Sequence, residues 1–262
     1  MKRVITIGGG TGSYIVLSGL KDLPNISLTA LVSMADDGGS TGILREKWGV
    51  MPPGDVRQCL VALSGKEFLN RKFTKGYLKE HKIGNIFLSV LEKITGNFTW
   101  GLKILSWVLG VKGKIIPITL DKAVLSVILK DSVKITGESK IEGKRVEKIF
   151  YEGNVYLNKA ARKPILEADF LIICPGSFYT SIVPNLIVDG FREILAKSNA
   201  TIIAIANLDD RDTNEYINKL ELYLEKPVNI LLPPDQSLSA VNSMRHDPKK
   251  LAKHINDIIN AK

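Results

Sequence analysis

Two cysteines, Cys59 and Cys174, are all that the 262 residues hold. That excludes a disulfide framework and any cysteine-based zinc spacing. A reducing cytoplasm is the expected setting. Histidine is scarce too: His246 and His254 are far in sequence from His81, and no zinc-like His/Cys cluster exists. Ser177 does not sit in G-x-S-x-G, which argues against a hydrolase elbow. No long run of one charge sign exists. The net charge of +9 is interleaved with acids, as in 75–82 and 140–148. This reads as a solvated lysine-rich surface, with nucleic acid not expected as a partner. The first residues lack the apolar stretch of a signal peptide. The longest uncharged run, 170–188, is broken by Pro175, Gly176, Pro184 and Asn185. It would make a poor membrane helix, so no membrane span is expected.

What is present is an ordinary globular balance of 45% hydrophobic and 24% charged residues. The length suits one full core. Strand-like segments at Val4–Ile7, Leu28–Ser33, Phe170–Cys174, Thr201–Ala206 and Val228–Leu232 alternate with helical ones. The predicted helices are Gly12–Lys21, Asp55–Leu63, Glu67–Glu80, Asn85–Thr95, Thr99–Leu109, Lys159–Glu167, Ile187–Ala196, Thr213–Leu224 and Asp247–Ile259. Such alternation predicts an α/β fold with a mostly parallel, doubly wound sheet. Lys114–Pro117, Ala123–Leu129, Val133–Thr136 and Val146–Phe150 are short and turn-linked. They predict a small antiparallel β insertion at about 113–157 within a single domain.

Chemistry concentrates in a few loops. Val4–Ile7 runs into Gly8-Gly9-Gly10-Thr11-Gly12. A strand, a glycine turn and a helix together make a phosphate cradle, because the helix points unpaired N–H groups at an anion. The dinucleotide fingerprint is incomplete, since Gly12 comes early and Ser13 stands at its last position. A tight turn without a ligand is the plain alternative.

A second cluster, Asp36-Asp37-Gly38-Gly39-Ser40-Thr41-Gly42, follows the second strand. Its carboxylates could hold a ribose hydroxyl or, with Asp55, a Mg²⁺ ion. A simple Asp-Gly turn would need far less. Pro52-Pro53-Gly54-Asp55-Val56-Arg57 comes next; Asp55 is a helix cap or a third site carboxylate, and Arg57 a phosphate contact. Gly84-Asn85 opens another helix. Gly176, Ser177, Tyr179 and Thr180 follow the strand at Phe170–Cys174, where a second phosphate or sugar contact would fit.

These segments, in this order, resemble the gluconeogenesis-factor family of the YvcK type, whose superfamily includes 2-phospho-L-lactate transferase (CofD). The motifs are GGGTG at Gly8–Gly12, ADDGGSTG at Ala35–Gly42, PPGDVR at Pro52–Arg57 and HKIGN at His81–Asn85. ITGNF at Ile94–Phe98, TGES at Thr136–Ser139 and PGSFYTSIVPNL at Pro175–Leu186 continue the match.

The resemblance implies a Rossmann-like fold and a nucleotide-diphosphate ligand. The favoured ligand is UDP-N-acetylglucosamine, bound by a regulatory factor linked to carbon metabolism, cell-wall synthesis and cell shape. Its other branch implies a Mg²⁺-dependent phospholactyl transferase. A homodimer is also implied. Ligand-binding positions carried over are Gly8 to Gly12, Asp36, Asp37, Gly38, Gly54, Asp55, Asn85, Gly176, Ser177, Tyr179, Thr180 and Asn185. Tyr216 and Arg245 are similar in place to a tyrosine and an arginine that hold the sugar nucleotide. The stretch between Leu232 and Arg245 is shorter than in typical members.

Overall fold

The computed structural model describes residues 1–210, 212–240 and 245–261. The chain begins β1 (Lys2–Gly8), α1 (Gly10–Leu20), β2 (Ile26–Val32), α2 (Gly39–Trp48) and α3 (Gly54–Ser64). A 3₁₀ turn at Glu67–Asn70 leads to α4 (Ile83–Thr95), α5 (Phe98–Leu109) and β3 (Lys114–Pro117). Then come β4 (Leu125–Leu129), β5 (Lys134–Thr136), β6 (Val146–Tyr151), α6 (Lys159–Glu167) and β7 (Phe170–Ile173). A π turn at Phe178–Ile182 runs into α7 (Val183–Leu186) and α8 (Phe191–Ala196). The chain closes with β8 (Thr201–Ile205), α9 (Thr213–Leu224), β9 (Ile230–Leu232) and α10 (Pro248–Asn260).

Six strands form one sheet in the order β3-β2-β1-β7-β8-β9, and every pairing in it is parallel. Val4 stands beside both Leu28 and Phe170 in register. The chain winds outward from β1 to β3, then returns to the other side of β1 and winds outward again. That is the Rossmann order, and ligands of such sheets bind at the carboxyl ends of the strands where the winding reverses. Here the reversal lies between β1 and β7. Val4 to Gly8 and Phe170 to Ile173 are buried without alternation. Helices therefore cover both faces, which explains why these strands read as continuous apolar runs.

β5-β4-β6 form a separate antiparallel sheet. The sequence assigns Lys114–Pro117 to this insertion. In the structure it is instead the third strand of the main sheet, parallel to β2. Its apolar Ile115 and Ile116 carry no alternation that would distinguish the two sheets.

Two helical expectations fail for local reasons. Glu67–Glu80 is not a helix beyond Asn70. Gly76 and Glu80 both adopt positive φ there, and Phe73 and Leu78 pack with Leu44, Val50 and Ile86 in a satellite cluster. Conversely, the glycine-rich stretch after β2 is helical from Gly39 onward. Leu44 anchors it in that same satellite cluster, and left-handed Gly49 ends it by donating to the Arg45 carbonyl. The helix predicted over Ile187–Ala196 starts only at Phe191, after the left-handed Gly190.

Candidate functional site

The first turn of α1 packs directly on the loop after β7. A side chain at Gly12 would place its Cβ 1.7 Å from the Pro175 carbonyl oxygen. Only glycine permits that approach. The contact lies at the switch point.

Asp55, the second residue of α3, reaches across 45 residues of sequence to the start of α1. Its Oδ1 accepts the Gly10 amide at 2.9 Å. The N-terminal end of α1 thus already faces a carboxylate. Two more glycines make room for this packing. A Cβ on Gly9 would stand 2.2 Å from Asp55 Oδ2, and one on Gly54 would stand 2.0 Å from Asp36 Oδ2. Burial and the neighbouring Asp36 push the Asp55 carboxyl up to about 8. Asp36 itself is fixed by the Gly38 amide, which donates to its Oδ1 at 3.0 Å.

Asp36 and Asp55 line a cleft of about 650 Å³. Glu138 joins them from the insertion, on the turn after β5. Burial first and Asp36 second raise it to about 7. The insertion is fastened over the cleft at several points. Arg45 Nη1 donates to the Asp36 carbonyl at 2.8 Å and Nη2 to the Ala123 carbonyl at 2.7 Å. The Ser139 amide donates to Asp37 Oδ1 at 2.9 Å. The Tyr151 hydroxyl donates to the Pro184 carbonyl at 2.8 Å.

Basic groups line the cleft as well: Arg57, Lys72, Lys79, His81 and Lys82, with Glu80 among them and paired to Lys72 at 2.7 Å. Arg57 Nε donates to Asn85 Oδ1 at 2.9 Å, and Nη1 donates to Asn70 Oδ1. The first bond orients the Asn85 amide, so its Nδ2 donates to Ser40 Oγ at 3.1 Å. Ser40 Oγ and His81 Nδ1 are hydrogen-bonded at 2.9 Å. Burial lowers the Lys82 ammonium from its usual range, and Arg57 adds to this. The arrangement can take a ligand that carries negative charge toward the bases and hydroxyls or a cation toward the carboxylates.

The profile of the family described as 2-phospho-L-lactate transferase CofD matches residues 4–252. The chain belongs to the CofD family. Relatives in this family bear the name gluconeogenesis factor. That of Halalkalibacterium halodurans is 40% identical, over 79% of this chain and 67% of that protein. That of Bacillus subtilis is 39% identical, over 79% and 68%. A Thermotoga maritima relative is 35% identical over 88% of this chain and 78% of its own length. A crystal structure of a UPF0052 family member from Bacillus halodurans superposes with a TM-score of 0.86 at 30% identity. It covers 97% of this chain and 98% of that one. The Rossmann-like α/β architecture read from the motifs is thus the architecture of the family.

The CofD-family motifs do not all reach one place. Gly10, Asp36, Gly38, Gly54, Asp55, Asn85 and Thr180 line the cleft. Gly8 ends β1, Gly9 caps α1, and Thr11 and Gly12 belong to its first turn; none of the four lines the cleft. Asp37 does not line it; its carboxylate holds the Ser139 amide. Gly176 accepts from Asn207 Nδ2 at 3.0 Å, and Ser177 begins the π turn. Asn185 is buried and braces that turn, donating to the Ser181 carbonyl at 2.8 Å. Tyr179 and Tyr216 line a different hollow of about 300 Å³, with Phe178 between them. The Tyr216 hydroxyl is buried there without a partner. Arg245 is exposed, and its carbonyl accepts from the Ala240 amide. Part of the short stretch before Arg245, residues 241–244, lies outside the described residues.

Glu138, Glu80 and the lysines at 72, 79 and 82 are charged cleft residues that sequence reasoning missed. Glu138 lies within the TGES motif, which marked the turn without revealing where it packs. Among the described residues no three His, Cys, Asp or Glu side chains come together as a metal site. What the cleft offers a cation is Asp36 with Asp55. Mg²⁺ takes one or two carboxylates together with phosphate oxygens and water.

Proposed function

We propose that this chain binds a nucleoside-diphosphate sugar of the UDP-N-acetylglucosamine kind in the cleft beside the β1–β7 reversal. In this reading it acts as a regulatory binding protein of carbon metabolism, cell-wall synthesis and cell shape, working as a homodimer. The observation that carries it is the Gly12–Pro175 contact, which packs the first turn of α1 on the loop after β7 at the reversal of the sheet, the place where ligands of such folds bind. The basic groups of the cleft suit a diphosphate, with Arg57 and His81 held in position by Asn85 and Ser40. The relatives' name, gluconeogenesis factor, supports the link to carbon metabolism.

A second reading is a Mg²⁺-dependent transferase. It is favoured by Asp55 and Glu138, two carboxyls raised by burial on either side of Asp36. A cation arriving with a phosphate would neutralise them. When bound, such an ion stabilises charge on a phosphoryl group.

Calorimetric titration with UDP-N-acetylglucosamine, with and without Mg²⁺, separates the two. GDP and NAD serve as comparisons. Selective micromolar binding without metal and without turnover supports the regulator. Binding of GDP only with Mg²⁺, and none of the UDP-sugar, overturns it in favour of the transferase.

A further inference from the structure

The helical hairpin α4–α5 carries an apolar face that nothing in the fold covers. On α5, Trp100, Ile104, Trp107 and Val108 are exposed at helical spacing. Trp107 is 84% exposed and Trp100 59%. On the adjacent α4, Phe87, Val90 and Ile94 are exposed in the same way. The two helices touch at Gly101, where a Cβ would lie 3.1 Å from the Leu91 and Glu92 backbone. Large tryptophans left in water are a costly choice unless something covers them.

The exposed charged residues of α4 and α5 are both lysines. Lys93, Lys103 and Lys114 are exposed on the hairpin and just beyond it. Lys103 Nζ lies 4.9 Å above the Trp100 ring, so its stem runs along the apolar surface and its ammonium stays in water. α5 holds no acid at all. The one acid of α4, Glu92, is turned inward and accepts the Met51 amide at 3.0 Å. Lys112, at the far end, is paired with Asp22.

We infer that the α4–α5 face docks on an anionic lipid surface. Tryptophan prefers the boundary between headgroups and acyl chains. A face of Trp, Ile and Val rimmed by lysines has the composition of a segment that lies in that boundary. No described helix is long and apolar enough to cross a membrane, so the attachment is peripheral. A second copy fits worse. α4 and α5 offer no exposed acid to meet Lys93 and Lys103 of another copy.

The test is flotation of the full chain with vesicles of phosphatidylcholine alone, or of phosphatidylcholine with phosphatidylglycerol. The protein should float with the anionic vesicles only, and high salt should release it. Lys103→Ala should weaken binding about fivefold, as expected for one surface lysine. The double variant Trp100→Ser/Trp107→Ser should weaken it at least about tenfold. Its circular dichroism and melting temperature should stay unchanged, since both rings point into solvent. Should that variant fail to fold, Lys103→Ala and the salt series carry the test. Absence of flotation with anionic vesicles at low salt overturns the proposal. So does equal binding to neutral vesicles. Self-association abolished by the double variant, without vesicle binding, assigns the face to a second copy and also overturns it.

Discussion

Asp55 Oδ1 accepts the Gly10 amide at 2.9 Å, so the end of helix α1 that would meet a phosphate already holds a carboxylate. The pairing satisfies one donor of the first helical turn. It also places a buried acid beside Asp36, and that acid is pushed up to about 8 by burial and by Asp36. Several consequences can be measured.

The first concerns pH. Asp55 and Glu138 are both raised in the folded state, to about 8 and about 7. Between the ordinary carboxylate range and those values, the folded chain binds more protons than the unfolded one. Stability therefore falls as pH rises through this window. Below it both states are protonated and the two groups have no effect. Asp55→Asn keeps the acceptor for Gly10 and removes the charge. It should stabilise the ligand-free protein by about 2 kcal/mol or more near pH 9 and by almost nothing near pH 4. Melting curves across that range check it.

The second concerns the Gly12–Pro175 contact. Gly12→Ala puts a methyl 1.7 Å from the Pro175 carbonyl oxygen, a backbone atom that cannot swing aside. The cost should be about 3 kcal/mol, read from urea unfolding. Gly39→Ala offers a contrast: nothing lies within 4 Å of its Cβ, and only its positive φ of 42° opposes the change. That variant should lose about 1 kcal/mol.

Arg57 tests the basic groups. Lysine keeps the charge but loses the planar fork that holds Asn85 and Asn70. Arg57→Lys should weaken UDP-sugar binding by about tenfold, the loss of one charge-assisted hydrogen bond. The imidazole ¹⁵N shifts of His81 should also move in the variant, because Asn85 links Arg57 to Ser40 and so to His81.

Arg45 tests the insertion. It ties the Asp36 loop to Ala123 through carbonyls on both sides. Arg45→Ala should cost about 2 kcal/mol and speed amide exchange in β4 to β6. Tyr151→Phe removes only the bond to the Pro184 carbonyl. It should cost about 1 kcal/mol.

Much of this was legible from local pattern. Lys159–Glu167 and Thr213–Leu224 are helices at the bounds their apolar spacing predicts. The strands of the main sheet sit where the apolar runs do. Periodicity reports how a segment is buried, and burial follows from side-chain chemistry alone. It fails where a satellite contact decides. Leu44 turned a glycine-rich stretch into a helix, and Phe73 with Leu78 turned a helical pattern into bridges.

The sequence by itself determined the α/β class, the mostly parallel sheet and the glycine turn after β1, because each is written in neighbouring residues. Only the tertiary structure decided which loop residues share a cleft. It joined Asp55 to Gly10 and brought Glu138 in from the insertion. It turned Asp37 toward Ser139 and set Tyr216 in a separate hollow. The reason is physical: these meetings span many tens of residues, and they exist only once the winding of the sheet has placed the strand ends side by side.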